Sequence, residues 1–110
     1  MILHRDLAAG RWETLTLAEQ LANAGAEVGR AIRARAAEDP GRFRPAFGRA
    51  LELLDLTLAD RRRSGPELKE IARMREVVCD FLVGQNVYGS TAAWIEGYFT
   101  TFALAARRDR

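Results

Sequence analysis

Apolar residues recur at three- and four-residue intervals through four stretches of this chain, and polar breaks bearing glycine or proline separate them. The first stretch opens on TLAEQ, where Thr16 and Glu19 have the spacing of a capping box, and it predicts a helix from about Leu17 to Ala37. EDPG breaks that helix. A second is expected from about Arg42 to Arg62, with Pro45 tolerated because it falls in the first turn. SGPEL repeats the start signal, with Ser64 as cap, Pro66 at the first helical position and Glu67 completing the box, and predicts a third helix from about Pro66 to Val83. GQNVYGST reads as a loop whose Ser90 or Thr91 caps a fourth helix, from about Thr91 to Arg107. Nothing reads as a strand, and residues 1–15 read as an irregular N-terminal segment.

Helices of about 17 to 21 residues, each about 25–30 Å long, with short connections predict a single all-α domain over residues 1–110. The expected architecture is an antiparallel up-down-up-down four-helix bundle. On the second helix Phe43, Phe47, Ala50, Leu51, Leu54 and Leu58 share one face, flanked by Thr57 and Leu53, and Asp55 lies at its border. On the third, Leu68, Ile71, Val78 and Leu82 form the apolar face, and Arg75 falls within that arc. A buried guanidinium needs an anionic partner because it cannot shed its proton. A hairpin turning at Ser64 sets residue 55 opposite residue 73, so Asp55 is expected to face Arg75 across the seam. The same folding brings Asn23, Glu27 and the hydroxyl of Tyr98 to a similar height. Two readings of Arg75, Asp55, Glu27 and Tyr98 stand: an ion pair that fixes helix register, or a small-anion or nucleotide pocket with Asp55 or Glu27 as a base.

Composition narrows the chemistry. With 110 residues, 48% of them apolar, and 17 basic against 15 acidic side chains, the chain fits one soluble globular domain. Cys79 is the single cysteine and lies in the apolar run VVCDFL, which excludes an internal disulfide and fits a reducing cytoplasm. No apolar run approaches the ~18 residues of a membrane span, and MILHRDL lacks the apolar region of a signal peptide, so no membrane partner is expected. The single histidine, His4, leaves no Glu-x-x-His pair for a di-iron site, no zinc ligand spacing, and no base for a serine or cysteine nucleophile in the bundle. Phosphate-loop and dinucleotide motifs are absent as well, so no catalytic residue, metal or cofactor is indicated.

Every basic residue except Lys69 is arginine. In an up-down bundle Arg61, Arg62, Arg63, Arg107, Arg108 and Arg110 gather at one end, and Arg33, Arg35, Arg42 and Arg44 at the other. Arginine in a last helical turn complements the helix dipole and aids solubility; the sharper reading is a phosphate-binding surface for nucleic acid. Leu56 on the second helix, next to the flanking Leu53, and Leu104 on the fourth fall outside the core faces and with Leu53 make the candidate association surface, while Ala18, Ala22, Gly25 and Gly29 give the first helix a smooth edge. These features predict association, as a homo-oligomer or with a protein partner.

The runs LAEQLANAGAEVGRAI, AFGRALELLDLTLAD and LKEIARMREVVCDFLVGQNVYGST, followed by YFTTFALAARR, resemble a family of small prokaryotic helical-bundle proteins over nearly the whole chain. At the level of fold the chain is similar to HEPN-type bundles, which pair with minimal nucleotidyltransferases or act as RNases. The RNase members carry an arginine, four to six residues and then a histidine; this chain has no histidine after His4 and lacks that motif. It also resembles the four-helix bundles of the ribosomal RNA intervening-sequence product and of the retroelement accessory subunit, a likeness that implies nucleic acid or a reverse transcriptase as partner. The expected function is therefore that of a non-catalytic cytoplasmic accessory or adaptor bundle. It would self-associate and bind a protein or nucleic-acid partner through helix faces and arginine-rich ends. The alternative is a ligand-binding protein or enzyme using the pocket around Arg75.

Overall fold

The computed structural model describes residues 10–108, so His4, Arg110 and most of the irregular N-terminal segment lie outside the described residues. Among the described residues the chain is all helical and has no strand. A 3-10 turn, Arg11–Thr14, precedes α1 (Leu17–Ala36), α2 (Pro40–Ala59), α3 (Gly65–Leu82) and α4 (Ala92–Arg108). None of these helices is long and apolar enough to cross a membrane.

Local chemistry sets the helix ends. Thr16 Oγ1 accepts from the Glu19 amide at 3.1 Å while Glu19 Oε1 accepts from the Thr16 amide at 2.9 Å, which closes the capping box that TLAEQ predicts. The side chain of Asp39 accepts from the Arg42 amide at 3.2 Å, so α2 starts at Pro40, two residues before the expected Arg42. It also stops early, because Asp60 leaves the helix in an extended conformation.

Packing centres on α1, which lies closest to α2 and α4. Leu21, Ala24, Val28 and Ala31 of α1 meet Ala50 and Leu54 of α2, Met74 and Val78 of α3, and Ile95 and Phe99 of α4 in one buried cluster. At Gly25 the approach of α4 is so close that an added Cβ would overlap the side chain of Phe99. The smooth edge of α1 thus serves contact within the chain at this position.

The face that α2 buries differs from the expected one. Ala46, Ala50, Leu53, Leu54 and Thr57 are buried, whereas Phe43, Phe47, Leu51 and Leu58 are half-buried. Trp12 explains the rotation: it covers the Thr57 side of α2 and donates its indole N–H to Thr57 Oγ1 at 3.1 Å, which draws Leu53 and Thr57 inward. The association strip is corrected accordingly. Leu53 is 3% exposed and Leu56 packs against the core, leaving Leu104, 55% exposed, as its surface member.

Gly25→Ala is expected to cost about 1–3 kcal/mol by overpacking the α1–α4 contact. Gly97→Ala, which meets open space within α4, is expected to raise stability by about 0.5–1 kcal/mol. Urea unfolding of the two variants checks both signs.

Candidate functional site

The run Arg61, Arg62, Arg63 reads as a basic end, yet the structure uses two of the three internally. Asp60, 2% exposed, accepts from the Arg62 amide at 3.0 Å, from Arg62 Nε at 3.1 Å and Nη2 at 2.7 Å, and from Gln20 Nε2 at 2.8 Å. Gln20, fully buried, also donates to the Trp12 carbonyl at 2.9 Å, and its Oε1 accepts from Arg63 Nη2 at 3.0 Å. Arg62 Nη2 reaches on to the Leu15 carbonyl at 2.6 Å. The Arg62 hydrogen bonds hold the Asp60 carboxyl well below the usual carboxylate range, against the opposing effect of its burial. The Arg63 side chain is only 8% exposed, and its buried Nε has no partner among the described residues. Arg61, Arg107 and Arg108 remain at the surface.

Asp55 does face Arg75. Arg75 Nε donates to Asp55 Oδ1 at 2.7 Å and Nη2 to Oδ2 at 3.4 Å, a two-pronged bridge between α2 and α3. The side chains are 34% and 55% exposed, so the pair lies on the outer seam rather than inside the bundle. That bond raises the Arg75 pKa, and burial pushes the Cys79 thiol up. Glu27 sits elsewhere, accepting from Arg49 Nε at 2.7 Å and pairing with Arg30. Tyr98 packs among Trp94, Phe99 and Phe102, with ring centroids 6.2, 5.2 and 5.3 Å away. Burial first, then the charge of Glu70, pushes its hydroxyl up to about 12. Arg75 and Asp55 are therefore paired with each other, while Glu27 and Tyr98 have other partners.

The α3–α4 loop GQNVYGST, in which turn-forming needs outweigh a ligand-site reading of Gly84, Asn86, Tyr88 and Gly89 in the sequence, carries exposed apolar side chains. Val83, Val87 and Tyr88 are 60%, 82% and 48% exposed there, and Trp94 in the first turn of α4 is 56% exposed. Asp80 organises the loop: its carboxylate accepts from the Val87 amide at 2.8 Å and the Tyr88 amide at 3.0 Å, and its carbonyl from the Asn86 amide at 3.1 Å. Asn86, at φ +54°, also exchanges two hydrogen bonds with the backbone of Ser90, at 2.9 and 3.0 Å. Tyr88 donates its hydroxyl to Glu76 Oε2 at 3.0 Å, which raises the tyrosine pKa, and the Arg73 guanidinium lies 6.0 Å from its ring centre. Between loop and helices opens a recess of about 400 Å³ lined by Arg73, Val77, Tyr88, Thr91 and Trp94. The legible signal was valine and tyrosine in the middle of a turn sequence.

No protein-family model, curated protein or solved structure matches the chain. Among the described residues no group of three or more His, Cys, Asp or Glu side chains is placed to hold a metal ion.

Asp60→Asn is expected to cost roughly 1–3 kcal/mol at neutral pH, because Arg62 loses its charged acceptor and Arg63, in a nearly closed site, keeps only Glu67 at 3.7 Å as a counter-charge. The folded-state pKa of Asp60 is lowered, so its contribution is complete above the unfolded value near ~4 and is lost as pH falls below it. In urea melts the native protein should therefore lose more stability than Asp60→Asn between pH 7 and pH 3. Parallel losses would remove Asp60 from this role.

Proposed function

We propose that the chain is a non-catalytic accessory or adaptor protein, an up-down-up-down four-helix bundle that displays the α3–α4 loop as a docking surface for a protein partner, a second copy of itself included. The observation that carries this reading is the group Val83, Val87 and Tyr88, solvent-exposed on a loop whose backbone is fixed by Asp80 and Asn86, with Trp94 exposed beside them in the first turn of α4. A valine at 82% exposure adds little to the fold, and a polar residue would complete the same turn. Tryptophan, tyrosine and arginine are the residues on which binding energy concentrates, and a loop already held in one conformation loses less entropy when it docks. Arg73 and Glu76 supply a charged rim beside the apolar centre.

Contacts along the helices support the up-down order. Gln20 with Asp60 and Glu27 with Arg49 run in opposite directions along α1 and α2. Arg33 lies 3.9 Å from Glu96 at the start of α4, and Arg35 sits over Phe81 near the end of α3.

Sedimentation equilibrium of the native protein and of a Val87→Ser, Trp94→Ser variant tests the reading. The native chain should associate reversibly and the variant should stay monomeric, with unfolding curves that differ little because both side chains are exposed. A native chain that associates equally well with or without these side chains would place the interface elsewhere.

A further inference from the structure

Between α1 and α2 lies a groove of about 590 Å³ whose walls carry Arg30, Arg33, Arg42 and Arg49, with Gly41 and Ala46 among the residues between them. Each of these arginines already has a carboxylate within reach. Glu27 takes Arg30 and Arg49, Asp39 takes Arg42 through Nε at 2.9 Å, and Glu96 lies 3.9 Å from Arg33. Arg42 and Arg49 each meet their carboxylate through Nε, which leaves the terminal edge of each guanidinium, the edge that forks an oxyanion, directed away from that bond. Arg30, Arg33 and Arg42 are 56%, 68% and 73% exposed at the side chain, whereas Arg49, at 36%, sits deeper.

Fold stability accounts for Arg33 and Arg35, which stand in the last turn of α1 where the helix dipole favours cations. Arg42 stands in the first turn of α2, where the dipole disfavours a cation, and the N-cap carboxylate of Asp39 offsets that charge through Nε at 2.9 Å. An anion in the groove would meet the terminal edge of the same guanidinium beside the helix start.

We propose that this groove is an oligophosphate site, in which the forked edges of Arg42 and Arg49 and the mobile heads of Arg30 and Arg33 hold two or more successive phosphate groups. Glu27 and Asp39 pre-position the arginines without cancelling them. The open, elongated site suits a flexible polyanion: consecutive phosphates of single-stranded nucleic acid or the phosphoanhydride chain of a small molecule share the chemistry it recognises. This site does not depend on the docking role of the α3–α4 loop, since no residue is common to the two.

The test uses inorganic tripolyphosphate and a fluorescent oligothymidylate of about ten nucleotides, titrated at low salt. Arg33→Gln with Arg42→Gln should weaken binding by about tenfold or more, while Arg107→Gln with Arg108→Gln, an equal change of charge elsewhere, should change it by less than about twofold. For the oligonucleotide the slope of log affinity against log salt should fall by about 1.4 in the groove variant, about 0.7 for each phosphate that is no longer neutralised. Arg42→Lys, which keeps the charge and loses the fork, should also weaken tripolyphosphate binding, and it covers the case in which the double variant fails to fold. Binding of tripolyphosphate alone assigns a small oligophosphate, and binding of the oligonucleotide assigns a nucleic-acid backbone. Equal weakening by the two double variants, or no binding of either probe at low salt, would overturn the proposal.

Discussion

The buried carboxylate of Asp60 is the constraint on which this structure turns. A charge taken out of water must be met by donors, and the donors come from separate parts of the chain: Gln20 from the first turn of α1, and Arg62 and Arg63 from the α2–α3 connection. Satisfying the carboxylate therefore closes one end of the molecule. It ends α2, folds the connection back beneath the helix, and through Gln20 and Arg62 holds the carbonyls of Trp12 and Leu15. Trp12 then seals the node from above and turns the buried face of α2 toward Leu53 and Thr57. Taking away the carboxylate would remove the charged acceptor shared by Gln20 and Arg62 and leave Arg63 with Glu67 alone as its counter-charge.

The same residue type does three kinds of work here. Arg62 and Arg63 belong to the Asp60 node, Arg75 and Arg49 bridge neighbouring helices, and Arg30, Arg33 and Arg42, each beside a carboxylate, expose more than half of their side chains along the α1–α2 groove. The two tryptophans divide likewise. Trp12 is 2% exposed and hydrogen-bonded, whereas Trp94 is 56% exposed beside the α3–α4 loop. Burial and partners separate structural from displayed side chains in each case, and composition does not. The Asp60 node thus gathers buried, mutually bonded groups at one end of the molecule, while the loop and the groove carry exposed ones.

What was legible in sequence is what local patterns carry. TLAEQ marks where α1 begins because Thr16 and Glu19 cap each other within one turn; SGPEL marks the start of α3 through Ser64 at the N-cap and Pro66 in the first turn, but Ser64 makes no side-chain capping bond and the expected box with Glu67 does not form. The pairing of Asp55 with Arg75 was legible too, since a hairpin about a known turn fixes which residues stand opposite, although the pair proved to sit on the outer seam. The polar node was not legible. Its partners lie 40 to 45 residues apart, and a lone tryptophan in an irregular segment has no period to announce its burial. Leu53 was misplaced for the same reason, because the element that covers it comes from outside the helical pattern. In the loop, Val87 and Tyr88 were hidden by the turn chemistry of their neighbours, which accounts for the backbone and says nothing of the side chains.

The most direct test of this division is hydrogen exchange at the two indole N–H groups, followed by NMR. The Trp12 proton, donated to Thr57 in a closed site, should exchange only when the node opens, with protection approaching that of the most protected core amides. The Trp94 proton should exchange with little protection. Comparable rates at the two indoles would contradict a sealed node at one end and a displayed tryptophan at the other.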